Sequence, residues 1–205
     1  MNDLIKYVFD RTAAFVGLII LMPVMIIIGI MIYKKMPGGP CIFKQKRVGK
    51  NGKLFTMYKF RSMIVDHNGS TVSVLGDRRI TEFGHKLRRN KIDEIPELWN
   101  ILIGEMSFVG PRPDVPGYAD ALTGDDREML RLRPGITGPA TLKYRNEELL
   151  LSRQKDPKKY NDEVIWPDKV RINRYYLHNH NVISDIKIML CTILKRKMIY
   201  NNEVI

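Results

Sequence analysis

The chain has little cysteine: two residues in 205, Cys41 and Cys191. Neither fits a disulfide framework or the ligand spacing of a metal site, which excludes a cystine-held secreted scaffold and agrees with a reducing compartment. Internal repeats and low-complexity linkers are also missing, so a solenoid or array is excluded. Acid is scarce, with 22 Asp and Glu against 34 Lys and Arg, a net charge of +12. From Lys34 to Arg61 acid is absent altogether, while Lys34, Lys35, Lys44, Lys46, Arg47, Lys50, Lys53, Lys59 and Arg61 all fall there. From 13 to 33 there is no charge of either sign.

That last absence constrains the chain most. The run AAFVGLIILMPVMIIIGIMIY is 21 residues long, a helix of roughly 31 Å, which matches a hydrocarbon core of about 30 Å. Pro23 sits at its middle, where it removes a donor and clashes with the preceding turn at a cost of roughly 3 kcal/mol. Broken there, each arm reaches roughly 15 Å, half the bilayer. The residues alone leave open whether the segment crosses a membrane or enters and leaves by one face. A signal peptide would have a shorter apolar region followed by a small-residue cleavage site. Here the run ends in Lys34-Lys35 and PGGP, behind a charge-balanced flank of Asp3, Lys6, Asp10 and Arg11. A buried core helix is disfavoured too, because about 170 remaining residues rarely enclose a helix apolar on every side. The basic stretch after the run faces the cytoplasm by the positive-inside rule, and each juxtamembrane cation gains about 1 kcal/mol near an anionic leaflet.

The remaining residues, 36–205, suffice for one compact domain. CIFKQKRVGKNGKLFTMYKF (41–60) reads as a β-hairpin, with Asn51-Gly52 supplying the positive φ angles of a type I′ turn. Residues 66–77 are polar and turn-rich and read as a mobile loop. A short helix is expected from Thr81 to Leu87, and a second from Asp93 to Ile103 with Pro96 in its first turn. The clusters Gly110-Pro-Arg-Pro113 and Pro134-Gly-Ile-Thr-Gly-Pro139 predict rigid irregular backbone whose glycines permit close approach of a ligand. Residues 183–199 put Ile186, Met189, Leu190, Ile193 and Leu194 on one stripe of a basic amphipathic helix. Such a helix suits either a membrane surface or core packing. The fold class is α+β, dominated by helices.

The residues able to do chemistry gather around Asp93-Glu94. Lys86, Arg88, Arg89 and Lys91 stand within eight residues of this pair. At a helix N-terminus the pair would lie where an anionic phosphate also binds favourably. Nearby arginine would lower a carboxylate pKa and keep it ionised, as a nucleophile requires. Successive helical residues diverge, so the two acids need not do the same job. Further phosphate donors are Lys59, Arg61, Arg88, Arg112, Arg133 and Arg145, whose charged groups suit phosphate oxygens. A hard cation such as Mg²⁺ is expected wherever pyrophosphate meets a carboxylate. A non-catalytic alternative is a membrane-tethered basic module that binds nucleic acid, which the charge permits. No recognisable nucleic-acid motif supports it.

The strings YKFRSM (58–63), DRRIT (77–81), LRRNKIDEIPELWNILIGEMSFVGPRP (87–113) and RPGITGPA (133–140) resemble the bacterial sugar transferase family. Within it the chain resembles the small monotopic phosphoglycosyl transferases of the PglC type, from the apolar run to the C-terminal helix. The resemblance implies an N-terminal re-entrant helix broken at Pro23 (residues 1–35) and a cytosolic catalytic domain (36–205) ending in an amphipathic interfacial helix. It also implies an enzyme on the cytoplasmic face of the bacterial inner membrane. There Asp93 would attack the β-phosphate of a UDP-sugar, UMP would leave, and a polyprenyl phosphate, usually undecaprenyl phosphate, would take the phosphosugar from the aspartate. Glu94 would assist proton handling, Mg²⁺ would contact Asp93, and Arg88 and Arg112 would handle phosphate. This chain reads Met22-Pro23 where the family reads Ser-Pro, has Asn173 where relatives often carry aspartate, and continues RPGITG with PATLKYRNEE. Those differences mark a subfamily and bear on sugar or acceptor recognition.

Overall fold

The computed structural model describes residues 2–65 and 78–205, so the loop read over 66–77 lies outside the described residues. Helix α1 runs from Asn2 to Lys35, with Lys34 and Lys35 in its last turn complementing the helix dipole. Helical structure continues through Pro23, so the break expected there is not an interruption of the helix. A proline withdraws one donor and crowds one carbonyl, and the ladder on either side can carry the helix on.

The inward face of α1 repeats every three or four residues. Ala14, Leu18 and Leu21 pack against Phe55, Leu98 and Met106, while Met25, Ile28, Ile32 and Met36 pack against Phe60, Leu87 and Ile95. Near its start, Lys6 Nζ lies 2.6 Å from Asp185 Oδ2. Both ends of a helix about 50 Å long therefore touch the same domain. Its other face, including Phe15, Ile19, Ile20, Ile26, Ile27 and Ile30, is exposed.

Strands β1 (Ile42–Val48) and β2 (Leu54–Phe60) form the expected antiparallel hairpin, in register from Ile42 opposite Phe60 to Val48 opposite Leu54. Asn51 (φ 58°, ψ 22°) and Gly52 (φ 79°) make the turn, closed by Lys53 N–H donating to the Lys50 carbonyl at 3.2 Å. Helix α2 (Glu82–Arg89) starts at Thr81, whose hydroxyl accepts from Gly84 N–H.

The second expected helix is split. Lys91 takes a left-handed conformation, Ile92–Glu94 form a single 3₁₀ turn, and α3 spans only Glu97–Leu102. Pro96 caps α3 with helical angles, and around it the turns close in i→i−3 fashion, Ile95 N–H donating to the Ile92 carbonyl at 3.2 Å and Leu98 N–H to the Ile95 carbonyl at 3.1 Å.

Strand β3 (Ser107–Val109) pairs in parallel with β4 (Gly135–Thr137). The two Pro-Gly clusters flank this pair and touch each other. A Cβ on Gly110 would sit 2.2 Å from the Arg133 carbonyl oxygen, and one on Gly138 would sit 2.3 Å from the Gly110 carbonyl oxygen. These glycines admit neighbouring backbone, which corrects the expectation of a ligand there.

Two 3₁₀ segments (Ala119–Ala121, Gly124–Arg131) bridge the strands. After β4 come α4 (Pro139–Lys143), α5 (Glu147–Ser152) and α6 (Pro157–Tyr160), then a π-helical turn at Asn161–Ile165. Helices α7 (Trp166–Asn179) and α8 (Val182–Ile193) follow. Helix α8 stops short of 199, because Lys195 turns left-handed at φ 54°. The chain then closes in a hairpin of β5 (Ile199–Tyr200) and β6 (Glu203–Val204). Of the expected stripe, Met189 packs against the core while Ile186, Leu190, Ile193 and Leu194 are exposed.

Asn100, fully buried, ties α3 to the hairpin. Its Nδ2 donates to the Thr56 carbonyl and to Glu105 Oε2, both at 2.7 Å, and its Oδ1 accepts from Tyr58 N–H at 3.1 Å. Replacing it with leucine strands these partners without water. Asn100→Leu is expected to lower the unfolding free energy by about 3 kcal/mol in denaturant titrations of the detergent-solubilised protein.

Candidate active site

The 3₁₀ turn after Lys91 aims two adjacent carboxylates inward, and Asp93 and Glu94 are both buried. Glu94 Oε1 collects cations from three directions. Lys59 Nζ on β2 and Arg112 Nη2 beyond β3 each lie at 2.9 Å, and Lys91 Nζ lies at 3.7 Å. Lys59 is shared, for it also lies 3.1 Å from Glu97 Oε1 in the first turn of α3. Arg112 keeps 45% of its side chain exposed, so its guanidinium can reach a ligand while holding Glu94.

The three carboxyls are not shifted alike. Burial disfavours the Glu94 anion, but Arg112, Lys59 and Lys91 together outweigh it and hold Glu94 well below the usual carboxylate range. Burial pushes Glu97 up, Lys59 opposes the rise, and the charge of Glu94 adds to it. Asp93 is likewise raised, by burial first and then by Glu94, against the pull of Lys59, Lys91 and Arg88. Nearby arginine therefore does not win at Asp93, contrary to the expectation from the sequence. Asp93 Oδ1 is moreover buried without a hydrogen-bond partner. A buried carboxyl oxygen without a hydrogen-bond partner is an acceptor open to an incoming cation or electrophile.

That atom also decides how Mg²⁺ would fit. Among the described residues there is no cluster of three or more metal-ligating side chains. Glu94 and Glu97 are occupied by Lys59, leaving Asp93 to offer one oxygen. This suits an ion held by one carboxylate and completed by water and substrate phosphates, as Mg²⁺ commonly is.

The expected phosphate ligands divide. Lys59, Arg88 and Arg112 act on the Asp93-Glu94 pair. Arg61 is buried and donates to the Met36 and Gly39 carbonyls, where it fixes the exit from α1. Arg133 donates from Nε to the Gly104 carbonyl at 3.0 Å. Arg145 donates to the Cys191 and Arg196 carbonyls at 3.2 and 3.5 Å, at the end of α8. Asn173 is buried on α7 with its Oδ1 unpartnered.

Glu97 and Arg47 went unread in the sequence. Glu97 follows Glu94 by three residues, a helical neighbour spacing that could have revealed it. Arg47, on β1, donates to the Pro113 carbonyl at 3.1 Å. Its pKa is depressed by burial and then by the like charge of Arg112.

Beside these cations Asp114 is pushed up to about 6 by burial, with Lys169, Arg47 and Arg112 opposing the rise. The folded protein thus holds a proton that the unfolded chain releases near the ordinary carboxylate pKa of about 3.9. This term costs nothing below that value and is fully destabilising above about 6. Stability is expected to fall as pH rises across this window. Asp114→Asn should flatten the slope and gain about 2 kcal/mol at pH 7, read from denaturation midpoints against pH.

The bacterial sugar transferase profile matches residues 1–198. An uncharacterized sugar transferase, EpsL of Bacillus subtilis, is 35% identical over 193 residues, covering 94% of this chain and 87% of that protein. A putative undecaprenyl-phosphate N-acetylgalactosaminyl 1-phosphate transferase of the same organism is 39% identical over 151 residues, 67% of this chain and 82% of that protein. The UDP-glucose:undecaprenyl-phosphate glucose-1-phosphate transferase of Escherichia coli is 34% identical over 204 residues, which is 95% of this chain but 40% of that longer protein. The match runs through the apolar helix, the Asp93-Glu94 turn and the Arg112 loop alike: this chain belongs to the bacterial sugar transferase family.

Proposed function

We propose that the protein is a membrane-bound phosphoglycosyl transferase that moves a sugar 1-phosphate from a UDP-sugar to a polyprenyl phosphate, in bacteria undecaprenyl phosphate. The observation that carries this reading is the unpartnered, buried Asp93 Oδ1 beside a carboxylate ringed by Lys59, Lys91 and Arg112. Related proteins named as undecaprenyl-phosphate sugar phosphotransferases support the substrate classes.

In the first half-reaction an Asp93 carboxylate oxygen forms a bond to the donor β-phosphorus. The bond from that phosphorus to the bridging oxygen breaks, and UMP leaves with the electron pair. In the second, a polyprenyl phosphate oxygen attacks the same phosphorus, the aspartyl bond breaks, and a polyprenyl diphosphate sugar forms. Arg112, Lys59 and Arg88 oppose the phosphate charge present in both steps. Glu94, held ionised, positions Arg112 and Lys59. Glu94, next to Asp93 and joined to Glu97 through Lys59, would assist proton handling. Mg²⁺ bound at Asp93 would supply charge neutralisation of the diphosphate and lower the Asp93 pKa toward its reactive form.

A lipid acceptor explains a catalytic domain lying along an apolar helix. Both ends of α1 contact the domain while its outer face is bare. This favours a monotopic arrangement, with the N-terminus and the active site both on the cytoplasmic face of the inner membrane. The reaction would open a glycan or polysaccharide assembly pathway. A tethered non-catalytic module offers no account of a buried, unpartnered carboxylate oxygen.

With a β-phosphate-labelled UDP-N-acetylhexosamine panel and Mg²⁺, label is expected on the wild-type protein and UMP in solution. Asp93→Asn should lose the protein label and at least 10³-fold in turnover, about 4 kcal/mol of barrier. Full turnover by this variant would exclude the covalent route. For topology, a single cysteine at position 4, where Leu4 is 70% exposed, should resist an impermeant thiol reagent applied from outside the cell. Modification there would mean that α1 spans.

A further inference from the structure

Ahead of its apolar run, α1 carries Tyr7 and Arg11 one turn apart. Arg11 donates to the Tyr7 hydroxyl, and its guanidinium carbon lies 5.1 Å from the ring centre. Arg133, between Leu132 and Pro134 at the approach to β4, places its guanidinium carbon 4.4 Å from the same ring. Its Nε donates to the Gly104 carbonyl at 3.0 Å. Gly104, at φ 86°, leaves room for the ring, because a Cβ there would lie 3.1 Å from Tyr7 Cε2 and from its hydroxyl.

Two cations thus share one aromatic ring, and among the described residues neither has a carboxylate within ion-pair distance. The nearby acids are engaged elsewhere: Asp10 with Ser107 and Lys6, Glu105 with Asn100, and Asp3 with His180. By contrast Arg112, Arg171 and Arg174 each meet at least one carboxylate. Paired guanidinium groups without a counter-ion attract an anion, and their planar forks match phosphate oxygens. The surroundings indicate which phosphate. Leu4, Ile5, Val8 and Phe9 are exposed on the same stretch of α1. Tyrosine and arginine flanking such residues belong at the depth where acyl chains meet headgroups.

We propose that Arg11 and Arg133, gathered on Tyr7, bind the phosphodiester of an anionic phospholipid. The site adjoins the C-terminal end of α3, whereas Asp93, Glu94 and Glu97 lie toward its start. It is therefore separate from the reacting groups and stands independently of the transferase reading. It would dock the N-terminal arm of α1 to one leaflet and, through Gly104 and Arg133, hold the β4 approach at that leaflet.

Native mass spectrometry of the intact detergent-solubilised protein would test it, with phosphatidylglycerol and phosphatidylcholine of matched chains as probes. The wild type is expected to retain one phosphatidylglycerol with at least tenfold preference. The Arg11→Gln/Arg133→Gln variant should lose that preference. Because Arg133 also anchors Gly104, Arg11→Gln alone serves as the second variant, read alongside an unchanged thermal midpoint. Equal retention of both lipids by the wild type would overturn the proposal. So would undiminished phosphatidylglycerol preference in Arg11→Gln. Displacement of the lipid by equimolar inorganic phosphate would make this a free-anion site and overturn the lipid assignment.

Discussion

One carboxylate oxygen organises the centre of this protein. Glu94 Oε1 receives Lys59 from the hairpin, Arg112 from the loop after β3, and Lys91 from its own turn. Three chain segments distant in sequence are thereby held to a common point. A buried ion pair is weak evidence of net stability, since desolvation offsets much of the attraction. Its value here is geometric. Removing Glu94 would leave Lys59, Lys91 and Arg112 converging on one point without their counter-charge, and of the two causes that raise Asp93 only burial would remain.

The backbone around that point is drawn tight by glycine. Gly110 and Gly138 allow the two Pro-Gly clusters to touch, and a side chain on either would collide with a carbonyl oxygen. Arg112 therefore projects from a loop braced on both sides, and proline on each side of it stiffens the loop further. Asn100 does similar work at the other edge, satisfying the hairpin from α3. Phosphoryl transfer depends chiefly on positioning and charge, so a rigid frame for few groups suits that chemistry.

Helix α1 has two unlike faces, which fits membrane association. The inward stripe from Ala14 to Met36 is consumed by two core clusters, and the apolar outward face is exposed. Sequence hydropathy could not separate the faces, because both are apolar, Ala, Leu, Met and Ile inward and Phe, Val, Met and Ile outward. The same uniformity made the run read simply as apolar.

Much was legible in the residues themselves. Local chemistry determined the hairpin, because Asn-Gly carries its own turn geometry, and it determined α2, because Thr81 caps it. It also marked Asp93-Glu94 with Lys59, Arg88 and Arg112, and the long motifs around them carried the family. Contacts between distant segments decided the rest. The expected second helix became a 3₁₀ turn and a short α3 capped by Pro96, with the backbone bonds between them closing at i→i−3 spacing. Arg61, Arg133 and Arg145 turned to main-chain carbonyls, and Glu97 entered the site instead. Asp93 rose in pKa although arginine is near in sequence, because burial and Glu94 outweigh the cations. Sequence by itself determined which residues could carry the chemistry; only tertiary structure decided which of them meet, because burial and charge–charge energies depend on distances through space.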